Sequence, residues 1–105
     1  MSYEYKLVLD DSSTAQLVID VIKSSSACIY AEDGDFYLKD HSLNSSSTYD
    51  ARLIYVDDGS LWLQVNFQSA ELYGLFKKAF NGRNFRCLEG EGDDEEVGLN
   101  EAFRM

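Results

Sequence analysis

A chain of 105 residues with 45% hydrophobic and 13% aromatic content is one domain's worth of sequence with material for a core, which excludes wholesale disorder. Its formal net charge of -10 repels nucleic acid and anionic membranes and favours encounter with a basic protein surface. The two cysteines, Cys28 and Cys87, are too few for a disulfide scaffold and lie far apart.

The start, Met1-Ser2-Tyr3-Glu4-Tyr5-Lys6, lacks the basic head and apolar stretch of a secretion signal, and the longest apolar runs fall far short of a membrane span. A cytoplasmic protein with reduced thiols is the expectation, with a single Cys28–Cys87 bridge as the alternative. There is no proline, so Gly, Asn and Asp must punctuate the chain.

Tyr3 to Leu9 alternates, with Tyr3, Tyr5, Leu7 and Leu9 on one side, and reads as a half-buried strand. Ser13-Thr14-Ala15-Gln16 reads as a capping box that opens a helix. Ala15, Leu17, Val18, Ile19, Val21 and Ile22 form its wide apolar arc. Two hairpins follow, each turning on Asp-Gly: Asp33-Gly34 between Ala27–Glu32 and Asp35–Lys39, and Asp58-Gly59 between Ala51–Asp57 and Ser60–Phe67. Asp-Gly suits a type I′ turn, where both central residues need positive φ. Between them, His41 to Asp50 reads as a polar, serine-rich exposed loop.

Ser69 caps a second helix with Leu72, Tyr73, Leu75, Phe76, Ala79 and Phe80 on its apolar face, stopped by Asn81-Gly82. Asn84 to Leu88 is a short last strand. The chain then switches sign. Lys77, Lys78, Arg83 and Arg86 give way to Glu89, Glu91, Asp93, Asp94, Glu95 and Glu96. Residues 1–88 read as one α+β domain and 89–105 as an acidic tail ending in a short docked helix or nothing. The expected fold is a two-layer α+β sandwich, a mainly antiparallel sheet with two helices on one face, close to a ferredoxin-like layout with an extra hairpin.

If each Asp-Gly is a two-residue loop, the registers are fixed. Val56 then faces Leu61 and Ile54 faces Leu63 on the core side, with Tyr55 against Trp62 outside. Ile29 faces Leu38 and Ala31 faces Phe36 on the core side, with Tyr30 against Tyr37 and Glu32 against Asp35 outside. Cross-strand aromatic pairs stabilise sheets on their own, and an exposed aromatic patch with a charged rim is also a binding face.

Chemistry is sparse. His41 is the single histidine, on a loop, with no neighbour suited to orient it, and one His with two distant Cys lacks zinc-site spacing. Asp33-Gly34-Asp35 and the acidic run do not follow a calcium loop, and the carboxylates flanking Gly90-Glu91-Gly92 would repel a phosphate. The candidate RNA-stacking strand Leu61 to Phe67 carries no basic residue. No catalytic residue, metal or cofactor is expected.

The leading expectation is a small protein-binding inhibitor or masking protein for a basic partner, such as a toxin, a nuclease or a nucleic-acid-binding protein. Its contacts are expected from Tyr30, Tyr37, Tyr55 and Trp62, with Glu32, Asp35, Asp93, Asp94, Glu95 and Glu96 at the rim. The alternative is a small-molecule-sensing or regulatory α+β domain, dimeric through its sheet or an edge strand.

Overall fold

A computed structural model describes residues 3–40, 42, 48–57, 59–89 and 95–105. The fold is α+β, with a seven-stranded antiparallel sheet and three helices among these residues. The strands are β1 (Tyr3–Leu9), β2 (Cys28–Glu32), β3 (Asp35–Leu38), β4 (Ala51–Asp57), β5 (Ser60–Val65), β6 (Phe85–Glu89) and β7 (Glu96–Val97). The helices are α1 (Ser12–Lys23), α2 (Ala70–Phe80) and α3 (Leu99–Ala102). The sheet order is β2-β3-β4-β5-β1-β6-β7, so the first strand to emerge ends in the interior of the sheet.

Alternation places Tyr5, Leu7 and Leu9 of β1, Leu61, Leu63 and Val65 of β5, and Leu53 of β4 in one core with the apolar sides of the helices. From α1 come Ala15, Val18, Ile19 and Ile22, and from α2 Leu72, Phe76, Ala79 and Phe80. Leu17, expected in the α1 arc, is instead 51% exposed, because it lies at the arc's margin. The cap of α1 also differs from the expected Ser13. Asp11 is the N-cap, and its carboxylate accepts from the Thr14 N–H at 2.8 Å. Ser69 caps α2 as expected, accepting from the Leu72 N–H at 3.0 Å.

Past β6, the chain returns as β7 and adds α3, whose Leu99 and Ala102 are buried. Phe103 just beyond is fully buried, its ring 5.1 Å from that of Phe76.

Both hairpins carry a bulge that the turn signal did not announce. In β2–β3 the pairs Glu32↔Asp35, Ala31↔Phe36 and Tyr30↔Tyr37 follow the two-residue turn, and Asp33 and Gly34 have φ of 50° and 79°. The register then shifts, so that Cys28 rather than Ile29 faces Leu38. Ile29 is the extra residue and is 45% exposed, while Ala27 and Cys28 pack on the core.

In β4–β5 the shift comes immediately after Asp57↔Ser60. Tyr55, not Val56, faces Leu61, and Leu53, not Ile54, faces Leu63. The expected core side of β4 is therefore inverted. The physical reason lies in Arg52, which shares the parity of Ile54 and Val56. Without the bulge it would point into the core and bury a guanidinium, a heavy desolvation penalty. The bulge turns Ala51 and Leu53 inward and Arg52 outward.

Asp50, the last residue of the serine-rich connection, is not exposed as expected, and Asp40, just before the connection, is buried with it. The Asp40 N–H donates to Asp50 Oδ2 at 2.9 Å. Ser42 and Ser69 donate their hydroxyls to Asp40 at 2.6 and 2.5 Å, tying the loop's start to the cap of α2. Burial pushes the Asp40 carboxyl up, but hydrogen bonds shared with Glu71 and donated by Ser42 and Ser69 outweigh it and hold it well below the usual range.

Candidate protein interface

The sheet face opposite the core presents two cross-strand rows. One runs Glu4–Gln64–Arg52–Tyr37–Tyr30, and the next runs Lys6–Trp62–Ile54–Asp35–Glu32. The buried side chains of all three helices join the other face.

Within the rows, the Tyr30 and Tyr37 rings lie 5.2 Å apart and tilted, and Tyr49 stacks on Tyr37 at 4.8 Å. The Arg52 guanidinium stands 5.3 Å from the Tyr37 centroid and donates to both Asp35 oxygens, at 2.8 and 2.7 Å. Those bonds, opposed by partial burial, hold Asp35 below the usual carboxylate range. Trp62 Nε1 donates to Glu4 Oε1 at 2.9 Å, which fixes the indole plane across β1 and β5. The Tyr30 hydroxyl donates to the Glu32 carboxylate, which raises the phenol's pKa.

Three of the four expected aromatics, Tyr30, Tyr37 and Trp62, thus share this face. Tyr55 does not. The β4 bulge sends it to the core side, where it helps line a cleft of about 320 Å³ with Ile19, Lys23, Asp33 and Phe36. Its place in the aromatic row is taken by Tyr49, whose hydroxyl donates to Gln64 Oε1 at 3.5 Å. Tyr49 is hidden by its setting in a polar run, although an aromatic two residues before a strand is a usable signal. Arg52 was missed as well, and its parity in the strand would have found it.

Of the acidic residues, Glu32 is exposed and Asp35 is bound to Arg52. Glu95 and Glu96 are exposed. Glu96 pairs with Arg86 at 3.5 Å, and the Glu95 carbonyl accepts from the Glu89 N–H. Asp93 and Asp94 lie outside the described residues, as does His41. The aromatic face itself is electrically mixed, since Lys6, Arg52 and Arg86 stand beside Glu4, Asp35 and Glu96. Further exposed acids, Asp10 and Asp11 after β1 and Asp33 between β2 and β3, sit in separate turns at one end of the sheet.

Both cysteines are free, and burial pushes the Cys87 thiol up to about 12 and raises that of Cys28 as well. Four strands separate β2 from β6, too far for a bridge between them. Among the described residues no three His, Cys, Asp or Glu side chains group to hold a metal ion, and no helix is long and apolar enough to cross a membrane. Set against protein-family models, curated proteins and solved structures, the chain matches none.

Proposed function

We propose that this chain is a small acidic binding protein of the cytoplasm that inhibits or masks a basic partner, either as an immunity protein for a toxin or nuclease or by imitating the anionic ligand of a nucleic-acid-binding protein. The observation that carries the reading is the row Tyr30–Tyr37–Tyr49 with Trp62 on a sheet face that the helices leave open. Tyr and Trp are the residue types that most often anchor protein interfaces, and here ion pairs and hydrogen bonds hold them in place ahead of any partner. The net charge of -10 supplies steering toward a basic surface rather than anchoring. Direct nucleic-acid or membrane binding is disfavoured by that same sign.

The layout is read as a two-layer sandwich, a ferredoxin-like variant with an extra hairpin. Strands β5 and β6 both run antiparallel to β1 between them, so β5–α2–β6 has the form of a split β-α-β unit. A second reading, a small-molecule-sensing domain, draws on the cleft of about 320 Å³ beside Tyr55, a volume at the lower end of ligand sites.

Affinity capture at low and then raised salt tests the choice, with the wild-type chain and a Trp62→Ala chain as paired baits. A basic protein held by the first and released at least about tenfold faster by the second supports the inhibitor reading. Equal retention on both baits, or loss of binding on altering Tyr55 and Lys23 alone, would sink it in favour of the cleft.

A further inference from the structure

Arg52, Tyr37 and Asp35 form a unit that the sheet repeats once, and the repeat lacks its cation. Tyr37 and Arg52 are register partners, and the guanidinium lies over the Tyr37 ring while gripping Asp35, two residues along β3 on the same face. One strand further out, Tyr30 faces Tyr37 and Glu32 faces Asp35. The phenol–carboxylate pair is thus present again on β2. The place that β4 holds beside β3 is, beside β2, an edge that no strand among the described residues covers. Ile29, Tyr30, Ala31 and Glu32 are all exposed there. Among the described residues no Lys or Arg stacks on Tyr30 or pairs with Glu32.

We infer that the β2 edge takes an extended segment of a basic partner as an eighth strand, with an arginine of that segment opposite Tyr30 and in reach of Glu32. This deepens the masking role proposed above and rests on it. Main-chain bonds would supply the pairing and the arginine its register, as in other strand-addition complexes. The guanidinium is the fitting cation because it stacks on a ring and forks onto a carboxylate at once, as Arg52 does. A second copy of this chain is the weaker occupant. Strand β2 reads Cys-Ile-Tyr-Ala-Glu, so pairing two of them brings no cation to either Glu32. The bulge at Ile29 leaves only Tyr30 to Glu32 in regular register, so the added strand must be short and helped by the aromatic row beside it.

The test uses the whole chain, isotope-labelled, titrated with the capped peptide Thr-Val-Arg-Val-Thr and with its citrulline counterpart, which keeps the shape and loses the charge. The arginine peptide should shift the amides of residues 28–32 and bind about tenfold more tightly than the citrulline one. Glu32→Gln should erase most of that ratio, and Tyr30→Leu should reduce it, with the fold of each variant checked by its amide spectrum. Equal binding of the two peptides, shifts confined to the Asp10–Asp11 turn, or a β2-paired dimer of the chain alone in sedimentation would overturn the inference. The same variants separate it from the broader reading. A basic protein that needs Trp62 but ignores Glu32→Gln and Tyr30→Leu would overturn the edge-strand inference and leave the masking role standing. Peptide discrimination without any such protein would do the reverse.

Discussion

The two hairpins start from the same Asp-Gly turn and both acquire one extra residue, yet only one keeps the face that the turn implies. In β2–β3 the bulge falls at Ile29, beyond Tyr30, so the aromatic pair next to the turn is untouched. In β4–β5 it falls at Val56, next to the turn, and every residue upstream changes sides. A turn therefore fixes register only as far as the first bulge. What decides the far side is the costliest residue to bury, and in β4 that residue is Arg52.

The largest expected effect breaks or confirms the inversion directly. Leu53→Ala should cost about 2–5 kcal/mol, as for other fully buried leucines, and Leu63→Ala, its partner across the strands, a similar amount. Ile54→Ala, on the half-exposed outer face, should cost about 1 kcal/mol. Urea midpoints with unchanged slopes would measure all three. A larger loss for Ile54 than for Leu53 would restore the unbulged register.

The turns themselves come next. Gly59 has φ of 80°, and an added Cβ would meet the Leu9 carbonyl oxygen at 3.0 Å, while at Gly34 (φ 79°) its nearest neighbour would be Tyr55 Cβ at 3.2 Å. Each Gly→Ala change should cost about 1–2 kcal/mol for the left-handed backbone, with Gly59 the worse because β1 backbone crowds it. Thermal melts of the two variants, compared side by side, test the order. Equal losses would mean that the backbone around Gly59 and Leu9 yields easily to a side chain.

Much of this architecture is legible in the amino-acid sequence alone. The apolar alternation of Tyr3 to Leu9 and the helical spacing around Val18 and Phe76 set the element order, since both rest on long periodic signals. Ser69 as a cap is equally plain. What escapes has a common cause, in that it depends on tertiary neighbours. The buried Asp40 and Asp50 look like loop residues until Ser69 is brought beside them. Phe103 follows an acidic run and a helix of four residues, so nothing local marks it as core. Tyr49 joins the aromatic row only because Tyr37 is already there.

The Arg52–Asp35 pair joins the two hairpins across β3 and β4, and its effect should be smaller, about 1 kcal/mol, because it is partly exposed. The sign of its pH dependence follows from the lowered Asp35 carboxyl. The native state holds fewer protons on Asp35 than the unfolded chain does between the two pKa values, so the stabilisation is present above about pH 4 and fades as the solution grows more acid. The gap between wild type and Arg52→Gln, followed by urea unfolding from pH 7 downward, should therefore close below that point. A gap that stays constant into strong acid would show that Arg52 acts through its stacking on Tyr37 instead.

The smallest effects belong to the two bulged residues, and their smallness is the sharpest check on where the bulges lie. Ile29 and Val56 are large β-branched apolar residues, 45% and 51% exposed. In an unbulged hairpin each would face the core, and Thr in its place would bury a hydroxyl with no sure partner, at a loss of roughly 1–3 kcal/mol. At an exposed bulge, Thr keeps the branched Cβ and leaves its hydroxyl in water. Ile29→Thr and Val56→Thr should then each change stability by less than about 0.5 kcal/mol. Should Val56→Thr alone exceed that, the inversion of β4 fails, and Tyr55 returns to the outer face. Should Ile29→Thr exceed it, the β2 edge is packed rather than open, and no partner strand could settle there.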